Sequence, residues 1–447
     1  MNGDFVSFSG TCNRTLDYDG NTVPFGRVNR KNYPHGMYET YDFDTLSRPT
    51  AIKTYNSSDV LQDTKSYAWD AANRITSATE GGVQTTYGYD AIDQLTSETK
   101  TSLPYSATYT YDANGNRLTK TVNGVTETYA YDKADKLLSV TGGANPRTFT
   151  YDAAGRTTAI TDGAGTTGFA YDYEGRVTSI TYPSQTSDAF GYNGLDARVS
   201  SSGVNGSKTF RRAGVGATSS VLSDGTRDNT PGVSSRQGGA STFQHSGLKN
   251  ANEQTDGSQT VTASRVYDAF GNVVSSSGTW QGMYGYGGDF GYQEDGNGLH
   301  LLGHRYYDSS TGRFLTSDPI GAGRNWYGYT ENNPVSHADP AGEFLLVLAG
   351  TALTTAESIF LGLLVAYAAY LTYEVCESIV KAIDEIGRNQ PNKSPKRGVG
   401  PTIVPAEPTE EQGGDYIYRL TGRGGENGKW WSRANPLVTP DYRRRAG

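Results

Sequence analysis

The chain has 447 residues, of which 39 are basic and 47 acidic, for a formal net charge of −8. This balance argues against general nucleic-acid binding by the folded body of the protein. Two cysteines exclude a disulfide framework, and the five histidines show no metal-ligand spacing, so the sequence predicts neither a metal site nor a cofactor.

The N-terminal residues show no targeting signal. Residues 1–30 contain no apolar run preceded by basic residues, so no signal peptide is visible. The stretch from Phe5 to Phe8 resembles a strand already in progress. We therefore expect the natural chain to begin further upstream.

A tandem repeat of about 20 residues dominates positions 67–176. Each unit reads aromatic-x-aromatic-Asp, then two variable residues, then Gly, Asn or Asp, and then Arg or another polar residue. Aromatic residues two positions apart share one face of a strand, and Asp-x-x-Gly favours a turn. The pattern predicts one β-hairpin per repeat. The second aromatic residue and the aspartate of each unit are Trp69 and Asp70, Tyr89 and Asp90, Tyr111 and Asp112, Tyr131 and Asp132, Tyr151 and Asp152, and Tyr171 and Asp172.

The two faces of these strands predict the architecture. One face is aromatic, and the other carries Thr, Ser, Ala or Arg, which does not suit the aliphatic interior of a β-sandwich. A single sheet with cross-strand tyrosine contacts fits better, and a long sheet of this kind twists and curls. We expect a spiral wall with a polar rather than a packed interior. Residues 200–265 lose the rhythm and are predicted to be degenerate repeats with longer loops.

Beyond the repeats, several ordered motifs follow one another. They include Tyr267-Asp-Ala-Phe-Gly-Asn272, the stretch from Gly291 to Gly321, and Asp339-Pro-Ala-Gly342. The tandem Tyr-Asp units resemble the YD repeats of Rhs proteins, teneurins and the C components of insecticidal toxin complexes, and residues 265–342 resemble the Rhs-associated core. The resemblance implies a mainly β fold, in which a shell of spiralling hairpins is closed by the core. It also implies that the shell often encloses a variable C-terminal toxin segment.

The resemblance also implies candidate chemistry. In some members of this family the core is an aspartyl autoprotease that cuts just after an Asp-Pro-x-Gly-Leu motif. Asp318 and Asp339 occupy the two Asp-Pro positions here. Two carboxyl groups that share one proton can activate water against a nearby peptide bond. Arg305 and Arg313 would position or polarise the substrate.

The cleavage motif departs from the family pattern. Gly342 is followed by Glu343, where self-cleaving members have leucine, so the possible cleavage position is at Gly342 and Glu343. The alternative interpretation is that Asp318 and Asp339 open turns ahead of proline and have only a structural role. Both interpretations stay open at the level of sequence.

The chain ends in three segments of different composition. Residues 344–373 have a single charge, at Glu357, and predict either a membrane-spanning helix or a hydrophobic helix that packs against the shell. The segment 389–414 is proline-rich and predicts a linker. The segment 415–447 has seven basic and three acidic residues, and it is too short for an independent catalytic domain.

Taken together, the sequence predicts five regions. They are a YD-repeat wall at 1–264, the core at 265–342, a hydrophobic to amphipathic helix at 343–388, the linker at 389–414, and a variable, toxin-like tail at 415–447. The predicted function is structural: a shell that houses its own C-terminal segment in bacterial competition, with an immunity protein as a further partner, rather than a conventional enzyme. The alternatives are a cell-surface adhesion protein that binds carbohydrate, and a self-processing protease. Each implies an exported or surface location.

Overall fold

A computed structural model describes residues 7–10, 28–204, 206–343, 346–348, 409–410, 416–420 and 430–433. The chain divides into two units, residues 1–370 and 371–447. The first unit begins with an antiparallel sheet of 19 strands, in which each strand pairs with the next along the chain. These strands are β1 (Ser7–Gly10), β2 (Val28–Asn32), β3 (Tyr38–Phe43), β4 (Pro49–Tyr55), β5 (Leu61–Trp69), β6 (Ile75–Glu80), β7 (Val83–Tyr89), β8 (Leu95–Lys100), β9 (Tyr105–Tyr111), β10 (Arg117–Val122), β11 (Val125–Tyr131), β12 (Leu137–Gly142), β13 (Arg147–Tyr151), β14 (Thr157–Asp162), β15 (Gly165–Tyr171), β16 (Val177–Thr181), β17 (Ser187–Tyr192), β18 (Arg198–Ser202) and β19 (Lys208–Thr209).

The repeat motif builds one kind of turn. In the turn from Asp70 to Arg74, the Asp70 carboxylate accepts hydrogen bonds from the main-chain N–H groups of Ala72 and Arg74, both at 2.9 Å. The fourth residue, Asn73, has a φ of 64°. Because Gly, Asn and Asp tolerate this left-handed conformation best, they dominate the fourth position of the motif. The equivalent positive-φ residues are Ser47, Asp93, Gly115, Asp135, Gly155, Gly175 and Asp196.

In four of the turns the last residue is an arginine, and its guanidinium binds both its own turn and the next one. Arg74 Nε lies 2.7 Å from Asp70 Oδ2 within its own turn. Its Nη1 reaches forward to Asp93 Oδ1 at 2.9 Å and Asp90 O at 3.3 Å. The guanidinium also lies 5.1 Å from the centre of the Tyr89 ring. Arg48, Arg156 and Arg176 likewise bind the aspartate of their own turn, the carbonyl oxygen of the first residue of the next turn, and an aromatic ring.

The second aromatic residue of the motif ties each hairpin to the preceding one. Its hydroxyl donates to the main-chain carbonyl of the first residue of an earlier strand, 14 or 16 positions back. This hydrogen bond explains why tyrosine is preferred to phenylalanine at the position. The pairs are Tyr89 with Ile75 (2.7 Å), Tyr111 with Leu95 (2.7 Å), Tyr131 with Arg117 (2.9 Å), Tyr151 with Leu137 (2.9 Å) and Tyr171 with Thr157 (2.6 Å).

The wall ends near residue 210, and a second sheet begins. The turn from Asn193 to Ala197 has alanine in the place of the repeat arginine. Phe210 is buried with Val221, Met283 and Tyr284. Within the stretch 200–265, which was predicted to be degenerate repeats, β18 and β19 still belong to the long sheet, and from Arg211 onward the strands belong to a second, eight-stranded antiparallel sheet. Its strands are β20 (Arg211–Arg212), β21 (Val221–Ser223), β22 (Asp228–Thr230), β23 (Ser234–Gln237), β24 (Ala240–Ser246), β25 (Ala251–Thr255), β26 (Val261–Tyr267) and β27 (Val273–Gly278).

Residues 265–342, hereafter the core segment, contain short elements. Gly288–Phe290 forms a 3-10 helix, and Thr330–Asn332 forms a single helical turn. Four strands make a small antiparallel sheet, and two more pair with each other. They are β28 (Gln293–Glu294), β29 (His300–Leu302), β30 (Arg305–Asp308) and β31 (Arg313–Phe314), followed by β32 (His337–Ala338) and β33 (Leu346–Val347).

The long sheet curves around the core segment. A flat sheet from β6 to β18 would be about 58 Å wide, since neighbouring strands lie about 4.8 Å apart. A compact segment of this length has a radius of gyration of roughly 12 Å. Yet strands along this whole width touch it, so the sheet must bend to reach it. The contacts include Ile75 N to Ser336 Oγ (3.1 Å), Ala269 N to Glu98 Oε2 (3.0 Å), Thr157 N to Leu315 O (2.9 Å) and Arg198 Nη1 to Asp295 Oδ2 (2.6 Å).

The space inside the curve is packed. Tyr286, Tyr292, Tyr307 and Tyr329 are almost completely buried in one aromatic cluster, and the rings of Tyr307 and Tyr329 lie 4.3 Å apart. The expectation of a polar, unpacked interior is wrong for this space, because the core segment itself supplies the aromatic side chains that fill it. The predicted difference between the two faces of a strand is present in β11, where Tyr129 is buried and its neighbours Thr128 and Ala130 are exposed.

After residue 343, the structure describes only residues 346–348, 409–410, 416–420 and 430–433, so few of the predictions for this part of the chain can be compared with it. Leu346 and Val347 form β33, which pairs with β32, so a helix that begins at residue 343 is wrong at its start. The remainder of the predicted helix and nearly all of the linker lie outside the described residues. In the parts of the chain that are described, no helix is long and apolar enough to cross a bilayer. The second unit contains a three-stranded antiparallel sheet of β34 (Thr409–Glu410), β35 (Tyr416–Leu420) and β36 (Trp430–Arg433).

The tyrosine hydrogen bond can be tested by removing one oxygen atom. Tyr171→Phe should lower the free energy of unfolding by about 1–2 kcal/mol, because the Thr157 carbonyl loses its donor in a partly buried place. Tyr173→Phe is the matched control, since Tyr173 is 98% exposed, and it should change the value by less than about 0.5 kcal/mol. Urea denaturation of both variants measures the difference. Equal stability of the two variants would show that the hydroxyl contributes nothing.

Candidate functional site

Three of the four candidate catalytic residues line one cavity. Arg305 begins β30, Asp318 follows β31, and Asp339 follows β32, and short connections bring their side chains together. All three are at least nine-tenths buried, and the cavity has a volume of about 90 Å³. Asn114 and Gly115, from a turn of the wall, form part of its lining. The site is therefore shared between the core segment and the wall.

Both aspartates also hold turns, as the structural interpretation of the sequence expected. Asp318 accepts hydrogen bonds from Ile320 N and Ala322 N, each at 3.0 Å. Asp339 Oδ1 accepts one from Glu343 N at 2.9 Å. These hydrogen bonds fix the direction of each carboxyl group. Each aspartate can therefore hold its turn and line the common cavity at the same time.

The peptide bond between Gly342 and Glu343 is contacted on both sides. Arg305 Nε donates a hydrogen bond to the Gly342 carbonyl oxygen, and Asp339 accepts the N–H of Glu343. Arg305 Nη2 also lies 3.8 Å from Asp339 Oδ2. A cation on the carbonyl oxygen and a carboxyl group on the nitrogen are the contacts that would polarise an amide and protonate its leaving group.

The charges of the site are balanced around the arginine. Burial lowers the pKa of Arg305, and the nearby charges of Asp339, Asp318 and Glu343 act in the opposite direction. The guanidinium also lies 3.7 Å from the centre of the Phe314 ring, which covers one of its faces. Arg305 is thus buried among the carboxyl groups of Asp339, Asp318 and Glu343.

Arg313, the fourth candidate, lies elsewhere. Its Nη1 donates to Asn116 Oδ1 at 3.0 Å, and its Nη2 donates to the Asp135 carbonyl oxygen. The guanidinium lies 4.9 Å from the centre of the Tyr131 ring. The structure therefore separates Arg313 from the carboxylate cavity and places it against two turns of the wall.

A left-handed turn borders the cavity. Thr330, Glu331 and Asn332 have φ values of 47°, 50° and 63°, and all three line the cavity. Residues other than glycine adopt this conformation at a cost of roughly 1–2 kcal/mol each. Asn332 Nδ2 donates to the Gly115 carbonyl oxygen at 2.7 Å, which holds the turn against the wall. Such strained backbone is concentrated at functional sites.

A second pair of carboxylates lies between the wall and the core segment. Glu98 Oε1 accepts the Tyr109 hydroxyl at 2.7 Å, and Lys100 Nζ lies 3.8 Å from Glu98 Oε2. Burial and the charge of the facing Asp268 raise the pKa of Glu98 to about 7. Lys120 Nζ lies 3.6 Å from Asp268 Oδ2 on the other side of the pair. Sequence reasoning missed Glu98, because nothing in its strand marks it as buried.

Comparison with known proteins identifies the repeat. Residues 69–102 and 131–167 match the family model described as RHS Repeat. These residues include the turns and tyrosine contacts described above. These two stretches of the chain are therefore Rhs repeats.

Relatives of this Rhs-repeat protein align over short stretches. The putative uncharacterized protein YibJ of Escherichia coli strain K12 is 39% identical over 102 residues, which cover 22% of this chain and 42% of that protein. The tRNA3(Ser)-specific nuclease WapA of Bacillus spizizenii is 36% identical over 109 residues, which cover 22% of this chain and 5% of that protein. The chain thus spans less than half the length of these relatives.

A solved structure shares the fold. A chain of the Tc holotoxin pore of Photorhabdus luminescens superimposes with a TM-score of 0.58 and 17% sequence identity, over 74% of this chain and 19% of that chain. At this identity the likeness concerns the fold alone. The Rhs-repeat protein therefore has a spiralling β-hairpin shell fold, closed by its core segment, as the sequence predicted.

The buried Glu98 predicts how stability depends on pH. Because the folded state raises the pKa of Glu98, its contribution to stability is fully present below about pH 4.5 and is lost as the pH rises through about 7. Glu98→Gln cannot ionise, so from pH 5 to pH 8 it should lose roughly 1–3 kcal/mol less stability than the wild type. Urea denaturation at both pH values measures this. A parallel loss in the two proteins would mean that Glu98 keeps one protonation state.

Proposed function

We propose that this Rhs-repeat protein forms the closing part of a shell that houses the C-terminal segment of its own chain. The supporting observation is the curved sheet, which contacts the core segment through strands as far apart as β6, β8 and β18. A curved sheet that is covered on one side by its own core segment is better suited to enclosing a segment of chain than to forming a conventional catalytic pocket. A toxin-like nature of the enclosed segment follows only by analogy with relatives such as the nuclease WapA.

Enclosure can be tested by timed proteolysis of the full-length gene product. Peptides from residues 389–447 should be released later than a cut at the exposed turn that contains Tyr173, because a shell wall would keep the protease away from the tail. Mild denaturant that opens the shell should remove the delay. Mass spectrometry of timed samples gives the order of release. Early release of the tail from the native protein would contradict enclosure.

We further propose that the core segment cleaves its own chain between Gly342 and Glu343. This second function is supported by the contacts of Arg305 and Asp339 with the two sides of that peptide bond. Among the residues that the structure describes, no group of three or more His, Cys, Asp or Glu side chains is placed to hold a metal ion.

The chemistry balances with one proton on the carboxyl pair. Asp318 takes a proton from water as the water oxygen bonds to the Gly342 carbonyl carbon. Arg305 stabilises the negative charge that develops on the carbonyl oxygen. The bond from this carbon to the Glu343 nitrogen then breaks, and Asp339 gives its proton to the departing amine. The pair again carries one proton at the end.

The intact mass of the purified protein tests cleavage. The uncut chain has a mass of 48.1 kDa, and the wild type should give two fragments that meet at residues 342 and 343. Asp339→Asn should abolish the cut, because an amide cannot supply the proton. Glu343→Leu, which restores the family residue, should cleave at least as fast as the wild type. Uncut protein for both the wild type and Glu343→Leu would sink the proposal and leave both aspartates as turn residues.

A further inference from the structure

The arginine that links successive turns is missing from three turns in a row. In these turns its place is taken by glutamine, asparagine or lysine, and arginine returns on both sides. Two of the replacements are almost fully buried, at 1–2% exposure, whereas the repeat arginines are partly exposed. The gap therefore coincides with a covered part of the wall. The replaced positions are Gln94, Asn116 and Lys136, and the flanking arginines are Arg48 and Arg74 on one side and Arg156 and Arg176 on the other.

The core segment contacts the turn that follows each missing arginine. In every case a core side chain donates a hydrogen bond to the carbonyl oxygen of the fourth residue of that turn, the residue with positive φ. The three contacts come from different parts of the core segment, so no single loop explains them. They are Asn332 Nδ2 to Gly115 O (2.7 Å), Arg313 Nη2 to Asp135 O, and Tyr327 Oη to Gly155 O (2.6 Å).

Arg313 covers the tyrosine ring that a repeat arginine at position 116 would cover. Its guanidinium lies 4.9 Å from the ring centre of Tyr131, and the repeat arginines that lie over tyrosine are 5.0–5.1 Å from the equivalent rings. Asn116 keeps a forward contact of its own, because its Nδ2 donates to Asp135 Oδ1 at 2.6 Å. Arg313 binds Asn116, the residue that stands where the wall arginine would be, at 3.0 Å. Asn325 Nδ2 donates to the same Asn116 oxygen at 2.6 Å. A wall arginine at position 116 would put two guanidinium groups over one ring.

We propose that these three turns are the docking site of the wall for the core segment, and that Arg313 is a positioning residue that replaces the missing wall arginine. The site fits a partner that brings one cation and two neutral donors at the spacing of successive repeats. The missing arginines thus specify where along a repetitive wall the core segment sits. This inference goes beyond the shell function and is independent of what the shell carries or whether the chain cleaves itself.

Moving the guanidinium from the core segment to the wall tests the proposal. Asn116→Arg alone and Arg313→Asn alone should each lower hydrogen-exchange protection of the core segment by roughly tenfold or more, because a charge-assisted contact is lost or crowded. The double variant, which carries arginine on the wall and asparagine on the core segment, should recover most of the protection. Recovery beyond the sum of the two single effects measures the coupling.

Control variants separate docking from general wall stability. Arg48→Asn removes the same kind of turn contact outside the three docking turns, so it should lower protection of the core segment much less than Asn116→Arg does. If a single arginine variant fails to fold, Tyr327→Phe tests the same site by removing only the hydroxyl that reaches Gly155. Unchanged protection in Asn116→Arg, or a double variant no better than the two single variants combined, would overturn the proposal. So would unchanged protection in Tyr327→Phe.

Discussion

The hydrogen bonds between successive turns are the interaction on which the rest of this structure depends. A hairpin of two short strands is marginal by itself and has little apolar area to bury. Here the tyrosine hydroxyl binds backward to the preceding hairpin, and the arginine binds forward to the next turn, as at Tyr89 and Arg74. Each repeat is therefore held from both sides. Because the arginine contacts are partly buried and charge-assisted, they are stronger than ordinary surface ion pairs.

A repetitive wall creates a problem of position, since every repeat offers nearly the same surface. Three neighbouring turns of the wall lack the repeat arginine, and in each turn that follows one of them a side chain of the core segment donates a hydrogen bond to the carbonyl oxygen of the fourth residue. The same contacts place Gly115 beside the carboxylates of the core segment. Gly115 has a φ of 82°, and a Cβ atom there would come within 3.3 Å of the amide nitrogens of Asn332 and Gln94. Both the backbone conformation and the close approach of Asn332 therefore favour glycine at this point.

Local features of this fold could be predicted from the sequence, and long-range ones could not. The turn from Asp70 to Arg74 is determined within five residues, so its aspartate and positive-φ residue are visible as a pattern. The separate sheet after Phe210 depends on which strand pairs with which, and this has no local signature. The family resemblance suggested the same substrate-binding role for Arg313 as for Arg305. The true partners of Arg313 lie 178 and 197 positions away. The gap in the arginines was visible, but nothing local indicated what would fill it.

The sequence suggested a catalytic role for three residues that line the carboxylate cavity, and a purely structural role in turns as the alternative for its two aspartates. The geometry is compatible with both interpretations, because each aspartate holds a turn and also lines the cavity. Asp339 holds a turn by accepting the N–H of Glu343, and this same hydrogen bond places it on the peptide bond that the family pattern marks for cleavage. Arg305 reaches the other side of this bond only because it is buried beneath Phe314 in a seated core segment. Asn114 and Gly115 of the wall complete the lining, which otherwise comes from residues 305–343. The proposed cleavage would therefore depend on contact between the core segment and the wall.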